Sequence, residues 1–199
     1  YYNYGFRAYI LLREEVYRAT QGKIDFFQTP KFVRIARYGK KIQMNEGVCP
    51  AYSDCRMGLS PDKFILSYCD RALGITSAEE QPVLPKGNNL SLHLLELFTS
   101  QVAKVGMTDG IRQVLQEESD ALRAYYEQAG ILIARPAGGT SCRLAISAKG
   151  GTNAENHNHN DVGSYAVALG SETMVGDQGG PNSYPGDYFN GDAPQKYKI

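Results

Sequence analysis

Gly130-Ile131-Leu132-Ile133-Ala134-Arg135-Pro136 is the stretch at which the chain changes period. Its apolar run is too short for a helix, is closed by a proline and leads into the Gly138-Gly139 turn, all of which suit a strand. Cys142 to Ala148 then sets Cys142, Leu144, Ile146 and Ala148 against Arg143, Ala145 and Ser147, the two-residue repeat of a sheet. Beyond Gly150-Gly151 and a polar stretch, strands are expected near 162 to 169 and 173 to 176. Upstream of Gly130 the apolar residues recur at three and four, the spacing of helices that bury one face. The order is helices first and an antiparallel sheet afterwards, an α+β organisation with its boundary near 129.

The helical part divides at its breakers. Phe6, Tyr9, Ile10, Leu12, Val16 and Tyr17 mark a helix over 4 to 19 that ends at Gln21-Gly22. Lys31 to Met44 predicts a second, broken at Gly39; its Arg34, Arg37, Lys40 and Lys41 read as a solvated face, with attraction of an anionic polymer as the competing reading. Asn45 to Ser60 is a long polar loop, and loops of that length are often functional. Within it Asp54 and Arg56 suit an internal ion pair as well as a site. Ser60-Pro61-Asp62 opens a helix reaching Gly74, with Ser60 as cap. Asn88 or Asn89 caps another from Leu90 to Gly106, where His93 reads as a core or surface histidine. Asp109-Gly110 opens a further helix through Ile111, Val114, Leu115, Leu122 and Tyr125.

Composition excludes more than it assigns. Lys plus Arg equals Asp plus Glu at 21 each, so no overall field draws in nucleic acid or an acidic membrane, and a polyanionic substrate needs a local basic patch. No apolar run has membrane-spanning length. The cysteines at 49, 55, 69 and 142 form no CxxC pair; a Cys49 to Cys55 bridge and four buried thiols are both open. Tyr1 falls inside a helical pattern and Tyr197-Lys198-Ile199 inside a strand-like one, which is what a piece of a longer protein would show.

The densest chemistry lies in Asn153-Ala154-Glu155-Asn156-His157-Asn158-His159-Asn160-Asp161, followed by Tyr165, Val167 and Leu169 and then by Asp177-Gln178-Gly179-Gly180. Histidines at i and i+2 of an extended segment face opposite ways, so they read as two tools: one toward a cleft, one turned inward to a metal or a carboxylate, with Asp177 as an inward partner. A polar turn between strands is the plainer alternative.

His157-Asn158-His159-Asn160-Asp161-Val162-Gly163-Ser164-Tyr165, with Glu172-Thr173-Met174-Val175-Gly176-Asp177-Gln178-Gly179 and Tyr184, resembles the opening of the C-terminal sandwich of the heparinase II/III-like polysaccharide lyases. Tyr1-Tyr2-Asn3-Tyr4-Gly5 resembles the end of their helical Glu-Gly-x-x-Tyr-x-x-Tyr-Gly pattern. The resemblance implies an incomplete α/α toroid, here its C-terminal part over 1–128, and the N-terminal part of an antiparallel β-sandwich over 129–199. It implies β-elimination on an acidic, uronic-acid-containing polysaccharide in a cleft between the two. Tyr1 and Tyr4 then take acid/base places, His157 that of base or charge stabiliser, and Asn156, Arg56 and Tyr184 contact substrate. His159 and Asp177 take two places around a structural zinc whose third ligand is expected beyond Ile199. A periplasmic or secreted location follows from the same resemblance, and a homodimer is compatible with it.

Competing readings start from the same residues. Gly151, five intervening residues and then His157-x-His159 reproduce the start of a cupin metal-oxygenase signature, but Val162-Gly163-Ser164-Tyr165 lacks the glutamate it needs. A zinc-stabilised sandwich that binds glycan without turnover is a third reading. Hydrolysis by paired carboxylates is a fourth, and Asp54, Asp161 and Asp177 show no spacing that singles out a pair.

Overall fold

A threonine followed by a proline is a strong helix start, and Thr29-Pro30 begins the helix around which the helical half packs. In the computed structural model, which describes residues 2–76, 83–84, 90–99, 101–118, 122–154 and 159–180, the Thr29 hydroxyl accepts the Phe32 N–H at 3.2 Å. A π-helical turn, Tyr2–Phe6, leads into α1 (Arg7–Ala19), followed by α2 (Pro30–Lys41), α3 (Lys63–Ala72), α4 (Leu90–Thr99) and α5 (Asp109–Glu118). The sheet then runs β1 (Arg123–Tyr126), β2 (Ile131–Ala134), β3 (Leu144–Lys149), β4 (Tyr165–Leu169) and β5 (Glu172–Val175). All neighbouring strands pair antiparallel in sequence order. Helices followed by a five-stranded antiparallel sheet is the organisation expected from the change of period.

Several element limits differ from the sequence reading. Gly39 does not break α2; a Cβ there would lie 2.7 Å from the Tyr2 ring and 2.9 Å from Leu66, so the glycine admits a neighbour to the helix surface. Asp62 rather than Ser60 caps α3, its carboxylate accepting the Phe64 N–H at 2.9 Å. Helix α4 stops at Thr99, short of Gly106, and Asn88 and Asn89 lie outside the described residues. The sheet begins at Arg123, and Tyr125, read as helical, pairs with Leu132 across β1 and β2. Aromatic side chains suit both periods, and the hairpin decides.

Two clusters of buried residues form the core. In the helical one, Phe27 and Phe32 stack with centroids 3.6 Å apart beside Phe6, Ile10, Ile65 and Tyr68. The other joins Ile42, Met44 and Val48, from the chain after α2, to Ala124, Ile133, Ala145, Ala166 and Ala168 on one sheet face. Alanines there allow the 42–48 segment to lie close to the sheet. The junction is also hydrogen-bonded. Arg135 donates to the Gln43 carbonyl and, in a short contact, to that of Lys41, satisfying the C-terminal end of α2. Asn45 Nδ2 donates to the carbonyls of Arg143 at 3.2 Å and Gly170 at 2.9 Å.

A buried charge network holds the helical half. Arg13, fully buried, donates through Nε and Nη2 to both Asp25 oxygens at 2.9 and 2.8 Å. Its remaining N–H groups reach Glu14 at 2.7 Å, Tyr68 Oη at 3.1 Å and the Ala103 carbonyl at 3.1 Å. Five guanidinium donors have five acceptors, the condition under which a buried cation is tolerated. Two of the cations of α2 are likewise engaged, since Arg37 and Lys40 both pair with Asp70. The four cysteines are free: Cys69 is buried, Cys49 and Cys55 half-buried and Cys142 exposed, so neither the bridge nor a set of four buried thiols is found.

Two outcomes follow from this packing. Burial alone would push the Asp25 carboxyl up, but the Arg13 and Phe27 N–H bonds outweigh it and hold the group below its ordinary range. A depressed carboxyl stabilises the fold above its unfolded pKa and loses that contribution as pH falls through the folded value. Arg13→Ala should therefore cost about 3–5 kcal/mol in denaturant unfolding near neutrality, and the difference from the parent should shrink under acid conditions. For the thiols, burial pushes Cys49 up to about 12 and raises Cys69 as well. Alkylation at about pH 8 should label Cys142 first and leave Cys49 and Cys69 largely unmodified, read by peptide mass spectrometry.

Candidate functional site

The long loop after α2 contains one residue that must adopt an uncommon conformation. Ser53 has φ +56°, in the left-handed region that costs a non-glycine residue free energy. What holds it there is Asp161: the Ser53 N–H donates to Asp161 Oδ2 at 2.5 Å and its hydroxyl approaches the same oxygen at 3.4 Å. Asp161 is only 2% exposed, so leaving it without donors would be costly. The loop thereby brings Asp54 to the next histidine, with His159 Nε2 3.3 Å from Asp54 Oδ1. The sequence left Asp54 between an ion pair and a site residue; its partner is one of the two histidines of the candidate stretch.

The same loop meets the Asp177 turn. Arg56 and Gly179 form an antiparallel bridge, and the Gly180 N–H donates to the Cys55 carbonyl at 2.9 Å. A Cβ on Gly179 would collide with the Cys55 carbonyl, and one on Gly180 would lie 2.8 Å from the Asp54 carbonyl. The Gly179-Gly180 pair is therefore explained by close approach of the loop. Asp177 accepts the Gly179 N–H at 2.8 Å and the Ser164 hydroxyl at 3.4 Å. Tyr52 of the same loop is buried, its hydroxyl 2.8 Å from Ser147 Oγ. Burial, then the charges of Asp177 and Asp161, push this phenol up, and it stays protonated at neutral pH.

Of the residues expected at a site, the structure brings together His159, Asp177 and the backbone of Arg56. Tyr4 is 84% exposed in the turn before α1. That turn is tied to the far end of the same loop, because Asn3 donates to the Ser60 carbonyl at 2.9 Å and accepts the Asp62 N–H at 2.8 Å. Tyr1, Asn156, His157 and Tyr184 lie outside the described residues. On either side of the histidine stretch, the Val162 N–H donates to Asn153 Oδ1 at 3.1 Å. His93 is exposed on α4. Tyr52, Ser53, Ser147 and Ser164 were not singled out by the sequence; nothing local marks a serine that will accept left-handed backbone or meet a buried carboxylate.

A separate cleft of about 1070 Å³ lies at the opposite strand ends, lined among others by Asn45, Lys63, Arg135, Arg143 and Ser171. It is open at the Leu144–Leu169 end of the β3/β4 pair, whereas the histidine stretch joins the Ala148–Tyr165 end. Size favours the cleft as a binding place, but proton-transfer groups favour the histidine end, and chemistry decides which is the candidate site. Comparison with protein-family models gives no match, and comparison with curated proteins gives none.

Asp161→Ala should release Ser53 from its left-handed conformation. Amides of residues 51–56 should exchange faster with solvent, and stability should fall by about 1–3 kcal/mol. Asp161→Asn should retain part of the acceptor and show a smaller change.

Proposed function

We propose that this protein is a polysaccharide lyase that cleaves a uronic-acid-containing polymer by β-elimination, with proton transfer by tyrosine and histidine. The observation that carries the reading is the attachment of the helical half to the histidine stretch through one loop, 48–60, whose middle holds His159 and Asp161 and whose end holds the turn bearing Tyr4. A lyase of this kind needs a phenol from helices and an imidazole from a sheet on one substrate.

The chemistry sets the roles. The C5 proton of a uronate is weakly acidic, so the neighbouring carboxylate must be neutralised, a base must take the proton and an acid must protonate the departing O4. His157 is proposed as base or charge stabiliser, Tyr1 as acid/base and Tyr4 as its assistant, with Asn156, Arg56 and Tyr184 toward substrate. His159 is a positioning residue whose ring is held by Asp54. The zinc implied by the resemblance would draw on His159 and Asp177. As they stand, His159 faces Asp54, Asp177 is engaged by Ser164 and Gly179, and no three metal-binding residues gather among the described residues. The third ligand that the resemblance implies is expected beyond Ile199, and no step is assigned to the metal.

We also read the sheet as one layer of a sandwich beside toroid helices. Its covered face is mostly small or polar, with Ala124, Ala145, Ser147, Ala166 and Ala168 around Ile133, while Tyr125, Leu132, Leu144, Ile146, Tyr165 and Leu169 on the other face are exposed. An apolar face of that breadth is normally covered by a second layer.

Given a panel of uronic-acid polysaccharides, the protein should generate unsaturated uronate ends, followed by their ultraviolet absorbance. His157→Ala should reduce turnover by about 10²–10⁴-fold, and Tyr1→Phe should do likewise, with unchanged melting temperatures. New reducing ends without that absorbance would replace the lyase reading by a hydrolase. Retained glycan binding with no turnover in the parent protein would leave a binding module.

A further inference from the structure

The cleft at the Leu144–Leu169 end has walls from both halves of the chain. One is the loop after α2 with the first turns of α3; the other is the approach to β3 with the β4–β5 turn. The walls are fastened to each other at the base by Arg135 on the carbonyls of Lys41 and Gln43 and by Asn45 on the carbonyls of Arg143 and Gly170. Such a cavity is preformed, and a ligand entering it loses little to reorganisation of the protein.

Its charges separate into spent and unspent. Lys40 is paired with Asp70, and Arg135 is engaged by backbone carbonyls. Lys63, on the α3 wall, and the Arg143 guanidinium, on the sheet wall, have no ion-pair or hydrogen-bond partner among the described residues. Arg143 lies across Gly170, where a Cβ would collide with it. Glu46 on the lining is an acceptor of opposite sign, and Ser171 adds a hydroxyl. Thr76, also on the lining, has a buried hydroxyl oxygen without a partner among the described residues. Two cations lining one cleft suit a carboxylate or sulfate, whereas a carboxylate acceptor and hydroxyls suit the OH groups of a sugar. A simple inorganic anion would use only the first set.

We propose that this cleft is a second saccharide site, binding an acidic sugar unit of the polymer through Lys63 and Arg143 at the strand ends remote from the histidine stretch. The ligand class rests on the lyase reading; the site itself rests on the cleft and its unspent cations. Binding there would hold a polymer on the protein independently of the reacting residues, which raises the effective concentration of neighbouring units.

The test is amide chemical-shift titration of the full chain carrying His157→Ala, so that turnover does not consume the probe. The probes are an oligogalacturonate hexamer, a heparin hexasaccharide, neutral maltohexaose and inorganic phosphate. At least one acidic hexamer should shift the Gly170 and Ser171 amides. Lys63→Gln with Arg143→Gln should weaken that response at least ten-fold, while Lys23→Gln with Lys104→Gln should leave it unchanged. Circular dichroism melts check that both double variants are folded. Silence of these amides with both acidic probes, an equal response to maltohexaose or phosphate, or an unaltered response in the Lys63/Arg143 variant would overturn the proposal. If the parent protein makes no unsaturated ends while the amides respond as expected, the lyase reading fails and the site stands.

Discussion

The buried carboxylate of Asp161 is the constraint on which the candidate site depends. It belongs to the sheet half, yet its donors are the N–H and hydroxyl of Ser53 in the helical half. A buried anion without donors is unfavourable, and a serine in left-handed backbone without compensation is unfavourable too. Each satisfies the other. The pairing fixes the loop in the one orientation that brings Asp54 to His159 and the Cys55 carbonyl to Gly180.

The helical half can present that loop because its own interior is fixed by charge as well as by aromatic packing. Arg13 draws α1, the 20–29 connection, α3 and the segment after α4 to one guanidinium, whose Cζ also lies 4.8 Å from the ring centroids of Tyr17 and Phe27. Such a network contributes less net stability than an apolar core of equal volume, but it allows few alternative arrangements, since any shift strands a buried charge. At the other end of the junction, Arg135 performs a similar service for the carbonyls of Lys41 and Gln43, where the chain leaves α2. The two halves are thus held at both strand ends, by carboxylate and histidine at one and by arginine and asparagine at the other.

Much of the order of elements was legible from period alone, because the change from three-and-four spacing to alternation at Gly130 reflects how helices and strands expose their side chains. Limits were less legible. Tyr125 and Tyr126 suit either period, and only pairing with Ile131 and Leu132 selects the strand. Gly39 reads as a breaker, yet its lack of a side chain serves the Tyr2 ring. In β3 the larger apolar residues, Leu144 and Ile146, face away from the helices, and alternation cannot tell which face meets which partner. For the site, the histidine stretch and Asp177 were visible as a concentration of chemistry. Its coupling to residues more than a hundred positions upstream was not, because no sequence period encodes a loop that docks on a turn.

The coupling between Asp54 and His159 tests the joining of the two halves most directly. In a double-mutant cycle of Asp54→Ala and His159→Ala followed by denaturant unfolding, a direct contact at the junction predicts an interaction free energy of about 0.5 kcal/mol or more, with the second substitution costing less once the first is made. Additive losses, within about 0.3 kcal/mol, would contradict the docking of the loop on the histidine stretch.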